Sequence, residues 1–271
     1  MITSTLLERL AAAEIAMYES RLKGIQTIEH NKMGAAITRF SDVHAFSIRH
    51  IPGPSYNVVR GSWTNALATL PAISRSYKEK GIPLRIEVAP HEADASCLLD
   101  FHQAGLYQSD AHATLYGELG EIDRIKSVDD SIMIRNIGRG DFEQYGHLYT
   151  KGFGMPSFLA ENVAANNEVL LGLPGWHFFI ASTDQRDVGI AALFITGDIA
   201  VLAASAVIPE GRNQKVHQAL IDYRLQLAKA LGCQLACGHA KFASVSQNNM
   251  ERCGLKLVYL KNIWQEAPVK A

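Results

Sequence analysis

Residues 199–209, IAVLAASAVIP, lead through the polar loop EGRNQK at 210–215 into VHQALIDYRLQLAKALG at 216–232. The apolar run is typical of a buried strand. The segment after it carries apolar residues at helical spacing, so we expect a helix over 213–231 that ends at Gly232. A helix that begins just after a strand directs its free N–H groups at one place. The loop between them is therefore a candidate anion site.

The rest of the second half extends this pattern in both directions. An apolar strand, CQLACGH at 233–239, a short helix over 246–253 and an alternating strand, LKLVYLKNIW at 255–264, follow the long helix. Upstream, WHFFIAS at 176–182 and VGIAALFIT at 188–196 predict a hairpin. With one strand and two helices before the hairpin, the second half has the predicted order β–α–α–β–β–β–α–β–α–β.

The first half repeats an order of helices, strands and helix-ending glycines that is found in the second half. In each, a helix ends at a glycine, a strand follows, a second helix ends at another glycine, and an alternating strand comes next. The glycines are Gly81 and Gly105 in the first half, 24 residues apart, and Gly232 and Gly254 in the second, 22 residues apart. Two copies of one pattern predict a duplicated fold. The helix that ends at Gly81 is predicted over 63–80, with a kink or a later start at Pro71.

The composition excludes several classes of function. The chain has 271 residues, 48% of them hydrophobic, with 27 acidic and 26 basic side chains. A balanced charge does not favour nucleic-acid binding, and no apolar run is long enough for a membrane span. Four cysteines without metal-ligand spacing predict reduced thiols in a cytoplasmic protein and no metal site. The charged stretch 121–131 predicts a linker between a first domain, 1–120, and a second, 132–271.

Two segments of the second half resemble the GNAT superfamily of acyl-CoA N-acyltransferases. Family members carry a pattern close to V-x-P-x-x-R-x-x-G-x-G/A before the long helix. The residues in register with this pattern and with the helix after it are Val207, Pro209, Arg212, Val216, Ala219 and Leu220. The segment 244–264 is similar to the family's final helix and its GF ending, with Leu255 in place of Phe. The resemblance implies an α/β fold with a mixed sheet, built as two GNAT-like domains in tandem, the first more divergent.

The resemblance also implies acetyl-CoA as co-substrate. The diphosphate of CoA needs several converging N–H groups and the positive end of a helix. The residues expected to contact the cofactor are Val207, Arg212, Asn213, Gln214, Lys215, Val216, His217, Ser246 and Asn249. We expect the strand that ends at Val207 to splay from the next strand and to pair with the pantetheine arm. The Val207 amide would then stabilise the oxyanion of the reacting thioester.

The chain departs from the family pattern at three further positions. Lys215 stands where members usually carry Gly, and His217 where they often carry Gly or Ala. Because Gly lets a phosphate approach the backbone closely, Lys215 either blocks that approach or contributes a charge of its own. Met250 stands where members often carry a Tyr that acts as the general acid, and Met cannot donate a proton.

Three residues are candidate catalytic groups, and each has a plainer alternative role. Glu210 follows the splayed strand and can deprotonate an amine, or it is a solvated loop residue. His239 follows the second apolar strand and is a possible base, or it has a structural role. Tyr259 alternates on the last strand and can donate a proton, or it packs in the core.

The sequence thus predicts an N-acetyltransferase that moves an acetyl group from acetyl-CoA to a primary amine of a small-molecule or peptide acceptor. The alternative is a non-catalytic GNAT-fold protein that binds CoA or a partner as a sensor or interaction module. Neither nucleic acid nor membrane is an expected partner, and we expect a monomer or homodimer.

Overall fold

The computed structural model describes residues 2–51, 53, 56–122 and 131–267. The helices are α1 (Ser4–Gln26), α2 (Leu70–Lys80), α3 (Ala95–Gln103), α4 (Phe142–Phe153), α5 (Ala160–Glu168), α6 (Val216–Ala230) and α7 (Val245–Arg252). The strands are β1 (Ala35–Phe40), β2 (Val43–Ile48), β3 (Val58–Gly61), β4 (Arg85–Val88), β5 (Leu106–Glu118), β6 (Ile132–Asn136), β7 (Trp176–Thr183), β8 (Arg186–Thr196), β9 (Ile199–Val207), β10 (Leu235–Lys241) and β11 (Lys256–Glu266). The element order predicted for the second half is confirmed.

The chain packs into two compact units. Unit 1 comprises Met1–Thr114 and Tyr259–Ala271, and unit 2 comprises Leu115–Val258. The units are therefore not consecutive in sequence, because most of β11, near the end of the sequence, belongs to unit 1. Of the linker predicted at 121–131, residues 123–130 lie outside the described part of the chain.

Unit 1 contains a sheet in the order β1-β2-β3-β4-β11-β5. Neighbours among β1, β2 and β3 are antiparallel, β3 and β4 are parallel, and β11 runs antiparallel to β4. The helix predicted over 63–80 begins only at Leu70, because Pro71 fits the first turn of a helix and not its interior. The sequence pattern did not predict β3, which has only four residues.

The core of unit 1 holds a network of buried charges. Arg60 is fully buried and forms ion pairs with Glu14 and, at 3.3 Å, with Glu87. Lys261 on β11 lies 2.9 Å from Glu14 and 3.3 Å from Glu87, and Arg85 lies 3.1 Å from Glu87. Buried charges are tolerated only when they are paired in this way. The network therefore ties α1, β3 and β4 to the returning strand β11.

Unit 2 contains the neighbours β10-β9-β8-β7-β6, with the end of β5 beside β10. The pairs β6–β7, β7–β8 and β8–β9 are antiparallel, whereas β9 and β10 are parallel. A Cβ added to Gly189 of β8 would lie 3.2 Å from Val216, so α6 covers that face. A Cβ added to Gly152 of α4 would lie 2.7 Å from Ala206 of β9, on the opposite face because strand side chains alternate.

Candidate functional site

The parallel strands β9 and β10 are paired over only part of their length. Their ladder joins Ile199–Leu202 to Leu235–Gly238, and within the described residues it ends there. β9 continues to Val207 and β10 to Lys241 without pairing to each other. The predicted splay is therefore present, and it exposes one edge of β9.

The backbone of Val207 faces this gap. The Ile208 N–H donates to the Val188 carbonyl at 2.9 Å, and Val207 is opposite Gly189 in the β8–β9 register. Hydrogen-bonded and non-hydrogen-bonded pairs alternate along antiparallel strands. The N–H and C=O of Val207 consequently point away from β8, towards the side that β10 has left. The expected contact between this amide and a thioester stays a prediction.

The loop after β9 gathers backbone N–H groups at the start of α6. Asn213 and Lys215 adopt the left-handed conformation, with φ of 63° and 61°. The first N–H groups of a helix lack partners within it. For residues 213–218, the described part of the chain supplies no acceptor for the backbone N–H groups. This cluster at a positive helix end fits an anion such as a diphosphate.

The helix predicted from Asn213 begins only at Val216, so the predicted start was wrong by three residues. The left-handed conformation of Lys215 makes it the residue that precedes the helix. Arg212 is exposed and bridges neighbouring backbone, because its guanidinium donates to the carbonyls of Val207 and Gly152, both at 3.4 Å. Gln214 donates from its side chain to the Glu210 carbonyl at 3.1 Å. The loop is thus braced by its own side chains.

His217 is a neutral imidazole held by α7. Asn249 lies with its side-chain nitrogen 3.1 Å from His217 Nδ1, and its oxygen accepts from Gln218 and Arg252. With both donors at the oxygen, the Asn249 nitrogen must donate, so the His217 proton resides on Nε2. Burial, and next the charge of Arg224, lower the pKa of His217 to about 4. The amide of Asn249 is therefore occupied within the protein.

Ser246 does not cap α7. The residue that precedes the helix is Ser244, whose hydroxyl accepts from the Gln247 N–H at 3.2 Å. Ser246 lies in the first turn and is partly buried. Its contact with a cofactor stays a prediction.

The three candidate catalytic residues have different surroundings. Glu210 is exposed and forms an ion pair with Lys151 at 2.7 Å; the hydrogen bond from Lys151 lowers the pKa of Glu210. His239 is partly buried and lies one residue beyond Gly238, the last residue of β10 that pairs with β9. Tyr259 is buried in unit 1, where burial and then Glu14 raise the pKa of its hydroxyl.

Met250 is buried against the sheet at the position where the family often has an acid. A Cβ added to Gly238 would lie 2.7 Å from the Met250 sulfur, so Met250 covers Gly238. Side chains alternate along a strand, and His239 therefore points to the face opposite α7.

Unit 1 repeats the strand–helix–strand layout with β3, α2 and β4 but closes the corresponding gap. The Trp63 N–H, just after β3, donates to the carbonyl of Glu92, just after β4, at 2.6 Å. The Trp63 ring is fully buried and packs edge-on against Phe101 with centroids 4.9 Å apart. Where unit 2 has an unpaired edge of β9, unit 1 therefore has the buried side chain of Trp63.

Arg224 is the site residue that the sequence analysis missed. Its guanidinium donates to the carbonyls of Ala192 and Ala203, which belong to β8 and β9. The available signal was its spacing, since Leu220, Arg224 and Ala228 follow one another at four-residue intervals on the buried face of α6.

Membrane-spanning helices and metal clusters are both absent from the described part of the chain. None of its helices combines the length and apolarity needed to cross a membrane. The described residues contain no cluster of three or more His, Cys, Asp or Glu side chains arranged to hold a metal ion. A small surface depression lies at the end of β5, lined by Tyr116, Glu118 and Ile122 among others, and it includes no residue of β9 or α6.

Comparison with known proteins identifies the fold. Neither a protein-family model nor a curated protein matches the chain. A GCN5-related N-acetyltransferase from Kribbella flavida is 12% identical, with 95% of this chain and 96% of that chain covered and a TM-score of 0.66. A tandem GNAT protein from the clavulanic acid biosynthesis pathway, solved without AcCoA, is 12% identical, with coverage of 93% and 89% and a TM-score of 0.62. A functionally unknown conserved protein from Staphylococcus epidermidis ATCC 12228 is 15% identical, with coverage of 91% and 100% and a TM-score of 0.63.

The chain therefore has the fold of the GNAT N-acetyltransferases, and a tandem GNAT protein is among its structural neighbours. The fold predicted from the two sequence segments is confirmed. Function does not follow from fold alone, because it depends on the geometry and chemistry of the site.

Proposed function

We propose that unit 2 binds acetyl-CoA in the gap between β9 and β10 and transfers the acetyl group to a primary amine. The observation that carries this proposal is the parting of these strands beyond Leu202 and Gly238, with the backbone of Val207 turned into the gap. The free amides of 213–218 lie at the same end of β9. An amide-containing pantetheine arm fits the open edge, and a diphosphate fits the start of α6.

In the proposed reaction, the neutral amine nitrogen forms a bond to the thioester carbonyl carbon. The Val207 N–H stabilises the resulting oxyanion. The C–S bond then breaks, and the proton lost by the amine ends on the CoA thiol. The products are an N-acetyl amide and free CoA.

We propose His239 as the base that accepts the amine proton. Two observations support it over Glu210. His239 lies at the point where β10 leaves β9, whereas Glu210 is held by Lys151 in solvent. The lowered pKa of Glu210 also makes it a weaker base than an ordinary glutamate.

Calorimetric titration with acetyl-CoA, followed by release of free CoA against a panel of amines, tests the proposal. We expect His239→Gln to lower kcat/KM by about 100-fold with unchanged acetyl-CoA affinity, since a general base contributes about that factor or more. Glu210→Gln serves as the matched control and should stay within about threefold. Wild-type protein that binds no acetyl-CoA would refute the proposed site.

The second candidate function is a GNAT-fold sensor that binds CoA without turnover. Two observations favour it: Met250 occupies the acid position and is buried, and Lys215 stands among the phosphate-facing amides. Acetyl-CoA should then raise the melting temperature, because a ligand of the native state stabilises it, while no amine in the panel releases CoA.

A further inference from the structure

Arg224 places a charged group in the interior of unit 2. It is 1% exposed and lies midway along α6. Its Nε donates to the Leu220 carbonyl at 2.9 Å, and its Nη1 donates to the carbonyls of Ala192 at 3.0 Å and Ala203 at 3.4 Å. A buried arginine is costly unless its hydrogen bonds are made, so these backbone contacts account for its position.

The two strand carbonyls belong to a β-bulge. Ala191 pairs with Ser205 and Leu193 pairs with Leu202, so two steps along β8 match three steps along β9. One extra residue is therefore inserted in β9 at this point, and it interrupts the regular ladder. Ala192 of β8 and Ala203 of β9 both fall at this point, where neither has a partner in the β8–β9 register, and Arg224 donates to the carbonyls of both.

The bulge coincides with the place where β9 leaves β10. Leu202 is the last residue of β9 that pairs with β10, and Ala203, bound by Arg224, is the next residue. A bulge bends its strand and increases the local twist. The bend therefore begins at the residue that Arg224 holds.

We propose that Arg224 is a positioning residue that fixes the β9 bulge and thereby keeps the gap between β9 and β10 open. Its effect on acetyl-CoA rests on the proposed function, but its effect on the strand does not. The planar guanidinium reaches carbonyls on two strands at once, which the single ammonium of a lysine does less well.

The bulge also sets which backbone groups face the gap. Beyond it, Ala206 and Ile208 alternate with Ser205 and Val207, and the Ile208 N–H is bonded to β8. Ser205 and Val207 therefore present their amides away from β8. Loss of the extra residue from the ladder would change the register by one and reverse this alternation.

The test compares Arg224→Met and Arg224→Lys with Leu225→Val, which alters the next buried residue of the same helix. Backbone hydrogen exchange is measured by NMR on the full chain without coenzyme. In wild type and Leu225→Val we expect Ser205 and Val207 to exchange at least about tenfold faster than Ala206 and Ile208. In Arg224→Met this ratio should fall to one or below, because loss of the bulge reverses the alternation, and in Arg224→Lys it should be intermediate.

Two further readouts accompany the exchange measurement. The pKa of His217 should rise from about 4 when the guanidinium is removed, because Arg224 contributes to lowering it. Acetyl-CoA affinity should fall about tenfold in Arg224→Met and less than twofold in Leu225→Val, a difference of about 1 kcal/mol.

The outcomes separate the two proposals. If the alternation persists in both arginine variants, Arg224 does not position β9 and the inference is overturned, whatever happens to binding. If Arg224→Met fails to fold, Arg224→Lys decides the question by the same ratio. If wild type shows the alternation but binds no acetyl-CoA, the proposed function fails while the role of Arg224 in shaping β9 stands.

Discussion

Replacing Lys215 by glycine should stabilise the protein, because two features of this position oppose a lysine. Lys215 adopts φ 61° and ψ 6°, and its side chain makes no capping hydrogen bond. A residue with a Cβ in the left-handed region costs about 1 kcal/mol relative to glycine. A cation at the positive end of a helix costs about 0.5 kcal/mol more. We therefore expect Lys215→Gly to raise the free energy of unfolding by about 1.5 kcal/mol and the melting temperature by about 3–6 °C.

Lys215→Ala divides this gain into its parts. Alanine removes the charge but keeps the Cβ, so it should recover only about 0.5 kcal/mol. Added salt should abolish that part, because exposed charges are screened, and should leave the difference between glycine and alanine unchanged. Urea unfolding of the three proteins at two salt concentrations measures both terms. Equal stability of Lys215→Gly and Lys215→Ala would refute the argument from backbone strain.

The same variants report on coenzyme binding. Wild type against Lys215→Ala isolates the charge, for which we expect about fivefold weaker acetyl-CoA binding in the variant, equivalent to about 1 kcal/mol. Lys215→Ala against Lys215→Gly isolates the room that the Cβ occupies, and we expect glycine to bind more tightly than alanine. Lys229→Ala, at the far end of α6, is the control for net charge and should bind like wild type. If Lys215→Ala loses no more acetyl-CoA affinity than Lys229→Ala, Lys215 does not contribute to the binding site.

Three further predictions follow from the structure. Burial alone would raise the pKa of Glu87, but Lys261 and the neighbouring arginines hold this pKa at about 2. The ionised Glu87 therefore contributes its full stabilisation above about pH 4.5. This contribution, up to roughly 3 kcal/mol, should be lost as the pH falls to about 2. Glu87→Gln should flatten the pH dependence of unfolding in that window, and an unchanged slope would contradict this. Gly152→Ala should destabilise by about 1–3 kcal/mol because its Cβ would meet Ala206 at 2.7 Å, whereas Gly140→Ala, with no neighbour within 4 Å, should change stability by less than about 0.5 kcal/mol; equal unfolding midpoints would refute the clash. Calorimetry should find one acetyl-CoA per chain, because Trp63 fills the corresponding gap in unit 1, and a stoichiometry of two would show that this gap opens.

The sequence predicted those parts of the fold that depend on local periodicity. The order of strands and helices in the second half and the glycine ends at Gly232 and Gly254 follow from apolar spacing and backbone preference. Pro71 predicted either a kink or a later start for the helix before Gly81, and the structure shows the later start, at Leu70. The start of α6 was not predicted, because a lysine in the left-handed conformation carries no sequence signal of the kind a glycine would give.

Long-range pairing accounts for what could not be predicted. The bulge in β9 depends on a register with β8 and on a guanidinium from a helix, and neither shows in the strand's own residues. The return of Tyr259 to unit 1 depends on pairing between β11 and β4, whose sequences are far apart. The buried pair of Arg60 and Glu14 likewise joins residues that sequence spacing does not relate.

The discontinuity of unit 1 has a consequence for biosynthesis. A ribosome completes all of unit 2 before it reaches Tyr259, which at typical elongation rates takes roughly 10–30 s. During that interval the nascent β4 has no β11 beside it, and an unpaired strand edge is prone to association with other chains. Prematurely terminated products that stop before β11 should therefore aggregate or be retained by chaperones, while the finished polypeptide does not.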